Sequence, residues 1–272
     1  MQDALITWHR DDLPTVHLPE NIRLSNRHVL KEDRSITIDR LLVDGDSNTK
    51  LAKGSKRGWI TAGLALAPHR LSGYQTCPNS TAACRAACID ITGMRYAFPS
   101  IHIGKIARTL LYFRHREWFL DKLDRELTAL VNDNPDADIA ARLNLVTDLD
   151  YIKTIARHPR IEFYDYTKVA KRTGQRLPNY WVTLSRSGTA TNQQHCIDQL
   201  AQGHNIAVVF GSRDAYQLQQ LPSEYLGHPV IDGDLHDLRF LDDRGSVVGL
   251  HLKAASHALY RATEQTPFVV SV

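Results

Sequence analysis

Ile206, Ala207, Val208, Val209 and Phe210 follow one another without a polar interruption. Alternate side chains of a strand face opposite sides of its sheet, so a strand of this composition must be covered on both faces. Segments 59–66, 139–146, 161–166, 180–185, 229–232 and 247–250 are likewise short and largely apolar. Between them, stretches 100–131, 149–158 and 192–203 read as helices, the first with apolar residues at three- and four-residue steps. Covered strands joined by crossover helices predict an α/β fold with a parallel sheet. Seven of them predict a parallel (β/α) barrel-like sheet, complete or partial, as one domain over residues 46–272. Residues 1–45, polar and broken by Pro14 and Pro19, are expected to form an irregular N-terminal arm or a small β extension.

Three of the four cysteines, Cys77, Cys84 and Cys88, are spaced C-x6-C-x3-C directly after the first of these strands. The alanine-rich filler predicts a helix that puts Cys84 and Cys88 on one face, a turn apart. Pro78 and Asn79 predict a turn that folds Cys77 back toward the same point. Three thiolates at one locus can hold a metal ion or an iron–sulfur cluster, and three is an odd number for disulfides. Two other readings stand beside this one: thiols packed in a core, as free cysteine often is, and a redox pair. The spacing matches no common zinc-finger pattern, which requires a second pair.

What ends each predicted strand is also informative. Asp148 closes the second, and Asp165, Tyr166, Thr167 and Lys168 close the third. Ser185 and Arg186 close the fourth, and Ser212 and Arg213 the fifth. Asp232, Asp234, His236 and Asp237 follow the sixth, while His251 and Lys253 end the last. Parallel α/β folds carry their sites at the carboxyl ends of the strands, where the cysteine loop also emerges. One shared mouth is therefore expected, although any single Asp or Ser there could be a helix cap. Arg142 and Asn144 alternate so as to face the interior, a costly placement unless they are paired. Segment 232–237 can bind a divalent metal or move protons, or it can be a glycine turn with capping aspartates.

With 43% hydrophobic and 23% charged residues the chain belongs to the globular class, and no run approaches the roughly 18 apolar residues of a membrane span. The N-terminus lacks a basic region followed by an apolar core, so a cytosolic protein is expected. There, clustered cysteines read as metal-binding or catalytic rather than as disulfides. A net charge of +3 permits a nucleic-acid partner without demanding one. Segment 48–58, with Lys50, Lys53, Lys56 and Arg57, is expected to be a basic, glycine-punctuated loop able to meet phosphates, or a solvated surface loop. Nothing in the sequence fixes an oligomeric state.

Gly63-Leu64-Ala65-Leu66-Ala67-Pro68-His69, Thr76-Cys77-Pro78, Cys84, Cys88, Arg142-Leu143-Asn144, Asp148, Tyr164-Asp165-Tyr166-Thr167-Lys168 and Val230-Ile231-Asp232-Gly233-Asp234 with His236-Asp237-Leu238-Arg239-Phe240 together resemble the bacteriophage gene 88 protein family. The likeness spans residues 45–260 and implies phage or prophage origin and residence in the host cytosol. A looser resemblance is to radical S-adenosylmethionine enzymes, which carry a three-cysteine loop after the first barrel strand, spaced C-x3-C-x2-C. It implies that Cys77, Cys84 and Cys88 hold a [4Fe–4S] cluster whose fourth iron takes the methionine moiety of S-adenosylmethionine, with Asp148 beside the cofactor. On this reading Asp148, Asp165 and Lys168 are the catalytic candidates. Asp148, Ser185, Arg186, Asp232, Asp234 and His236 are the cofactor-binding ones. The chain would then be a radical-type enzyme modifying a nucleotide or nucleic acid. A rival resemblance, to zinc-bearing queuine-type transglycosylases, implies base exchange with Asp148 or Asp165 as nucleophile and a Zn ion bracing the fold. A third reading is a non-enzymatic phage accessory protein with a structural zinc.

Overall fold

The computed structural model describes residues 3–9, 13–24, 28–45, 49–91, 98–214, 220–254 and 256–272; Asn48 of the basic segment lies outside them. Strands β1 (Leu5–Trp8), β2 (Pro14–Leu18) and β3 (Arg34–Thr37) form a small antiparallel sheet in that order. Strand β4 (Leu42–Asp44) leads into helix α1 (Thr49–Ser55), so most of the expected basic loop is helical. Leu51 anchors that helix beneath Ala65 and Leu145. Strand β5 (Ile60–Leu64) precedes the cysteine loop, whose only α-helix among the described residues is the five-residue α2 (Ala82–Ala86). The predicted helical stretch 100–131 is two helices, α3 (Pro99–Arg114) and α4 (Arg116–Asn132), broken at His115.

The chain then runs through β6 (Ile139–Arg142), α5 (Ile152–Ile155), β7 (Ile161–Thr167), β8 (Gly174–Leu177), β9 (Tyr180–Ser185), α6 (Ala190–Ala201) and β10 (Ile206–Gly211). It ends with β11 (Glu224–Tyr225), β12 (His228–Asp232), β13 (Val247–His251), α7 (His257–Glu264) and β14 (Val269–Ser271). Seven strands lie parallel in the order β5-β6-β7-β9-β10-β13-β12. Each coincides with one of the seven apolar segments.

The barrel-like architecture expected from those segments is overturned. The main sheet has eleven strands and is mixed and open: β4 runs antiparallel along the outer edge of β5, and β11 does the same along β12. The place that a closing strand would take is thus filled at both ends. The connections also differ from a (β/α) repeat, since hairpin strand β8 stands between β7 and β9, and a 3-10 turn (Arg239–Leu241) between β12 and β13. Beyond Ala207, β10 leaves β9 and pairs instead with β14 at Val209, Phe210 and Gly211.

The period of two along each strand sorts its residues between two faces. Ile139, Ala141, Ile161, Phe163, Tyr180 and Val182 face α3 and α4 in the main core with Ile106, Leu110, Phe119, Leu123 and Leu127. Val16, Leu18 and Ile38, from the region expected to be an arm or a small β extension, join the same core, so the small sheet is packed onto the helices. On the opposite face Ala140 and Tyr164 pack against Leu238, with Trp59 and Phe240 beside them. The segment after β12 therefore crosses back over β6 and β7 and fills the concavity that strand closure would otherwise enclose.

Leu238 is fully buried in that plug. Leu238→Ala should cost about 2–5 kcal/mol, the usual range for a buried leucine truncation. A urea titration checks this as a lowered midpoint with an unchanged slope.

Candidate functional site

The plug stops short of the carboxyl ends of the strands and leaves a cavity of about 660 Å³ there. That volume is within the range of small-molecule sites, roughly 300–1,000 Å³. Cys77, Cys84, Cys88, Asp148, Lys168, Ser185, Asp234 and His236 all line it. Asp165, Arg186 and Asp232 do not.

The cysteine loop is built from local hydrogen bonds. Ser80 N–H donates to Cys77 O at 3.1 Å, which closes the expected turn, and the Thr81 hydroxyl caps α2 by accepting from Cys84 N–H at 3.0 Å. The single helix expected to carry both Cys84 and Cys88 is not formed, because α2 ends before Cys88, whose N–H reaches back to Arg85 O at 3.4 Å. Cys77 Sγ accepts from His69 N–H at 3.3 Å and lies 3.5 Å from Val146 O. His69 itself has φ +41, a left-handed conformation held by Thr76, whose N–H and hydroxyl both donate to His69 O. Strain of this kind persists where surrounding bonds over-determine it. Burial pushes the Cys77 thiol up, and burial together with Asp90 pushes that of Cys88 up to about 12. Any bound cation would reverse that preference, since metal ligation takes the thiolate.

Among the described residues, the one trio of His, Cys, Asp or Glu ligand atoms within 4.8 Å of one another is that of Asp232, Asp234 and His251. The carboxylates of that trio are already engaged: Asp234 accepts from Lys253 Nζ and, at 3.1 Å, from His251 Nδ1, while Asp232 accepts from Asp234 N–H at 2.8 Å. Lys253 and His251 also hold the Asp234 carboxyl below its usual range against the opposing effect of burial.

The two catalytic aspartate candidates part company. Asp148 reaches the cavity wall, but both its oxygens are engaged. Oδ1 accepts from the Thr167 hydroxyl at 2.8 Å and Arg172 Nη1 at 3.3 Å, and Oδ2 accepts from Lys168 N–H at 2.9 Å. Asp148 N–H in turn donates to Thr76 O at 2.8 Å, which ties the cysteine loop to the end of β7. Asp165 alternates with Tyr164 and Tyr166 and points to the helix face instead of the cavity. There it accepts from Asn144 N–H at 2.9 Å, Asn144 Nδ2 at 3.1 Å and Tyr180 OH at 3.1 Å, and burial pushes its carboxyl up to about 7. Arg186 falls on the helix side of Ser185 for the same reason. It donates to Gln193 Oε1 at 2.8 Å and to the carbonyls of Pro267 and Phe268, which clamps the chain entering β14.

The cavity floor is Arg142, nearly inaccessible, donating to Asp237 Oδ2 at 2.7 Å with its guanidinium 4.7 Å from the Tyr166 ring centre. The interior placement of Arg142 and Asn144 is thus met by buried carboxylates, Asp237 and Asp165, although Arg142 Nε makes no hydrogen bond among the described residues. Sequence reasoning missed Asp90 and Lys105, which form an ion pair on the cavity wall beside Cys88. The available signal was a lysine between Ile103 and Ile106, on the apolar side of a helix.

No helix among the described residues is long and apolar enough to cross a membrane. A family model described as gene product 88 matches residues 40–268. No curated protein and no solved structure matches the chain.

His236 provides a pH test of this wall. Burial first, then Arg239, Arg57 and Lys53, lower its pKa to about 4, against an ordinary value of 6.5. Between those values the unfolded chain takes up a proton that the folded chain refuses, so this residue's contribution is lost as pH falls from about 6.5 through 4. His236→Gln should therefore flatten the pH dependence of the urea midpoint in that window relative to the unsubstituted chain.

Proposed function

The chain belongs to the gene product 88 family, and from that premise we propose that it is a cytosolic phage-type metalloenzyme whose active site is the cavity at the strand ends. Cys77, Cys84 and Cys88 hold a [4Fe–4S] cluster there, with S-adenosylmethionine as co-substrate and a nucleotide or nucleic acid as the molecule modified. The single observation that carries this reading is that three of the chain's four cysteines line one 660 Å³ cavity. When bound, such a cluster supplies one electron for reductive cleavage of a sulfonium carbon–sulfur bond.

The protein's own groups have definable parts in this scheme. His69 N–H, bonded to Cys77 Sγ, stabilises negative charge on that sulfur, as hydrogen bonds to cluster ligands do. Asp148 is a positioning residue: its carboxylate fixes Thr167 and Lys168, and its N–H fixes Thr76 beside Cys77. Arg142 and Asp237 form a rigid, charge-paired floor. Val209, Leu250, Leu252 and Phe268 make the remaining wall apolar, which limits water around a reactive intermediate. Base exchange is less well supported, because Asp165 is turned away and the Asp148 oxygens are already engaged, so neither offers a free carboxylate to an anomeric carbon.

Protein purified without oxygen should be brown and contain about four irons with matching sulfide. Cys84→Ser should abolish the colour and most of the iron, while Cys196→Ser, buried among α6 contacts outside the cavity, should keep both. One zinc and no colour would overturn the cluster in favour of a structural or transferase zinc. No metal in the unsubstituted protein would return the thiols to a packing role.

A further inference from the structure

The cations around the cavity are unequally compensated. Lys105 is paired with Asp90, Arg142 with Asp237 and Lys253 with Asp234. Lys53 and Arg85 rest on the main-chain carbonyls of Asp234 and Ser80. Lys168 is likewise held by uncharged groups. Its ammonium donates to the Ser185 hydroxyl oxygen at 3.1 Å and lies 5.6 Å from the centre of the Phe268 ring, with no carboxylate partner among the described residues.

The backbone explains why. The nearest acid, Asp148, binds the Lys168 main-chain N–H and the Thr167 hydroxyl, and its charge is taken by Arg172. Asn79 Nδ2 donates to Lys168 O at 3.1 Å from the other side. With its main chain held between Asp148 and the cysteine loop, the side chain is directed across the strand ends toward Ser185. Ser185 comes from the neighbouring strand and shares the cavity face with Tyr166, because Tyr166 is in register with Thr183, two residues before Ser185. Since the Ser185 oxygen accepts from the ammonium, its own proton is available to donate elsewhere. Two further N–H bonds of the ammonium are available in the same way.

We infer that Lys168 and Ser185 form an oxyanion subsite that receives a phosphate group of the molecule entering the cavity. Two ammonium N–H bonds and the neighbouring Ser185 O–H suit a tetrahedral phosphate, for which lysine is a common point-charge partner. Val209, Leu252, Ala254 and Phe268 lower the local dielectric and strengthen that attraction. The subsite sits beside Cys84, which packs in the same apolar cluster as Phe268. A phosphate held there would place the rest of a nucleotide-sized ligand over the Arg142 floor. The inference rests on the cavity being the ligand site, as proposed above, and not on the metal held by the cysteines.

The test titrates the full-length protein calorimetrically at constant ionic strength with inorganic phosphate, acetate, 2′-deoxyguanosine and 2′-deoxyguanosine 5′-monophosphate. Phosphate should bind, acetate should compete weakly, and the monophosphate should bind about tenfold or more tightly than the nucleoside, the scale of one charge-assisted hydrogen bond. That ratio should fall to near one in Lys168→Met, survive in part in Lys168→Arg, and drop severalfold in Ser185→Ala. Circular dichroism confirms folding, and metal content is read on the same samples. Lys168→Met should retain its metal, so a lost metal and a lost phosphate site are separate outcomes. Equal affinity for nucleoside and monophosphate, no phosphate binding, or an unchanged ratio in Lys168→Met would each overturn the subsite. Acetate binding better than phosphate through Lys168 would make it a carboxylate site and overturn the phosphate assignment. Should Lys168→Met fail to fold, Ser185→Ala and Lys168→Arg decide by the same ratio.

Discussion

A guanidinium buried in the middle of a sheet constrains this molecule more than any other single group. Arg142 ends β6 at 4% exposure, where an unpaired charge would be prohibitively expensive. Its partner Asp237 comes from the far end of the sheet, beyond β12, with four strands intervening in the hydrogen-bonded order. That pair can form only if the open sheet curls enough for the chain after β12 to cross the concave face. Leu238 and Phe240 follow directly and fill the concavity against Tyr164 and Trp59. The curvature, the plug and the floor of the cavity are thus consequences of one desolvated ion pair with its apolar neighbours.

Asp148 does the equivalent work at the rim. Its side chain fixes the residues after β7, and its main chain fixes the residue before Cys77. Loops at strand ends have few packing contacts of their own, so a carboxylate that accepts from backbone, hydroxyl and guanidinium together is an economical way to order them. With this acid engaged in holding backbone, Lys168 has no carboxylate partner among the described residues and sits in a partly apolar wall.

The seven apolar segments were legible because burial on both faces leaves a composition that little else produces, and each became a parallel strand. Closure was not legible. Apolar runs report that a strand is covered, without reporting whether a helix, a plug or another strand covers it. Here β4 and β11 occupy the sheet edges, and the turn at 239–241 fills the inner face. Asp165 shows the same limit at the level of one residue. Its position at a strand end was readable, and the alternation with Tyr164 and Tyr166 put it opposite them. Which of the two faces carries the cavity depended on where the plug lies.

The sequence by itself determined which segments would be strands, that they would run parallel, and that three thiols and a set of polar strand ends would share one end of the sheet. Those properties follow from local composition and from the chemistry of parallel crossovers. Only the tertiary structure decided that the sheet stays open, that Asp148 is a staple while Asp165 faces away, and that the Lys168 ammonium meets Ser185. Those outcomes depend on contacts between residues far apart in the chain, such as Arg142 with Asp237, and the energy of a desolvated charge pair is not encoded in either residue's neighbours.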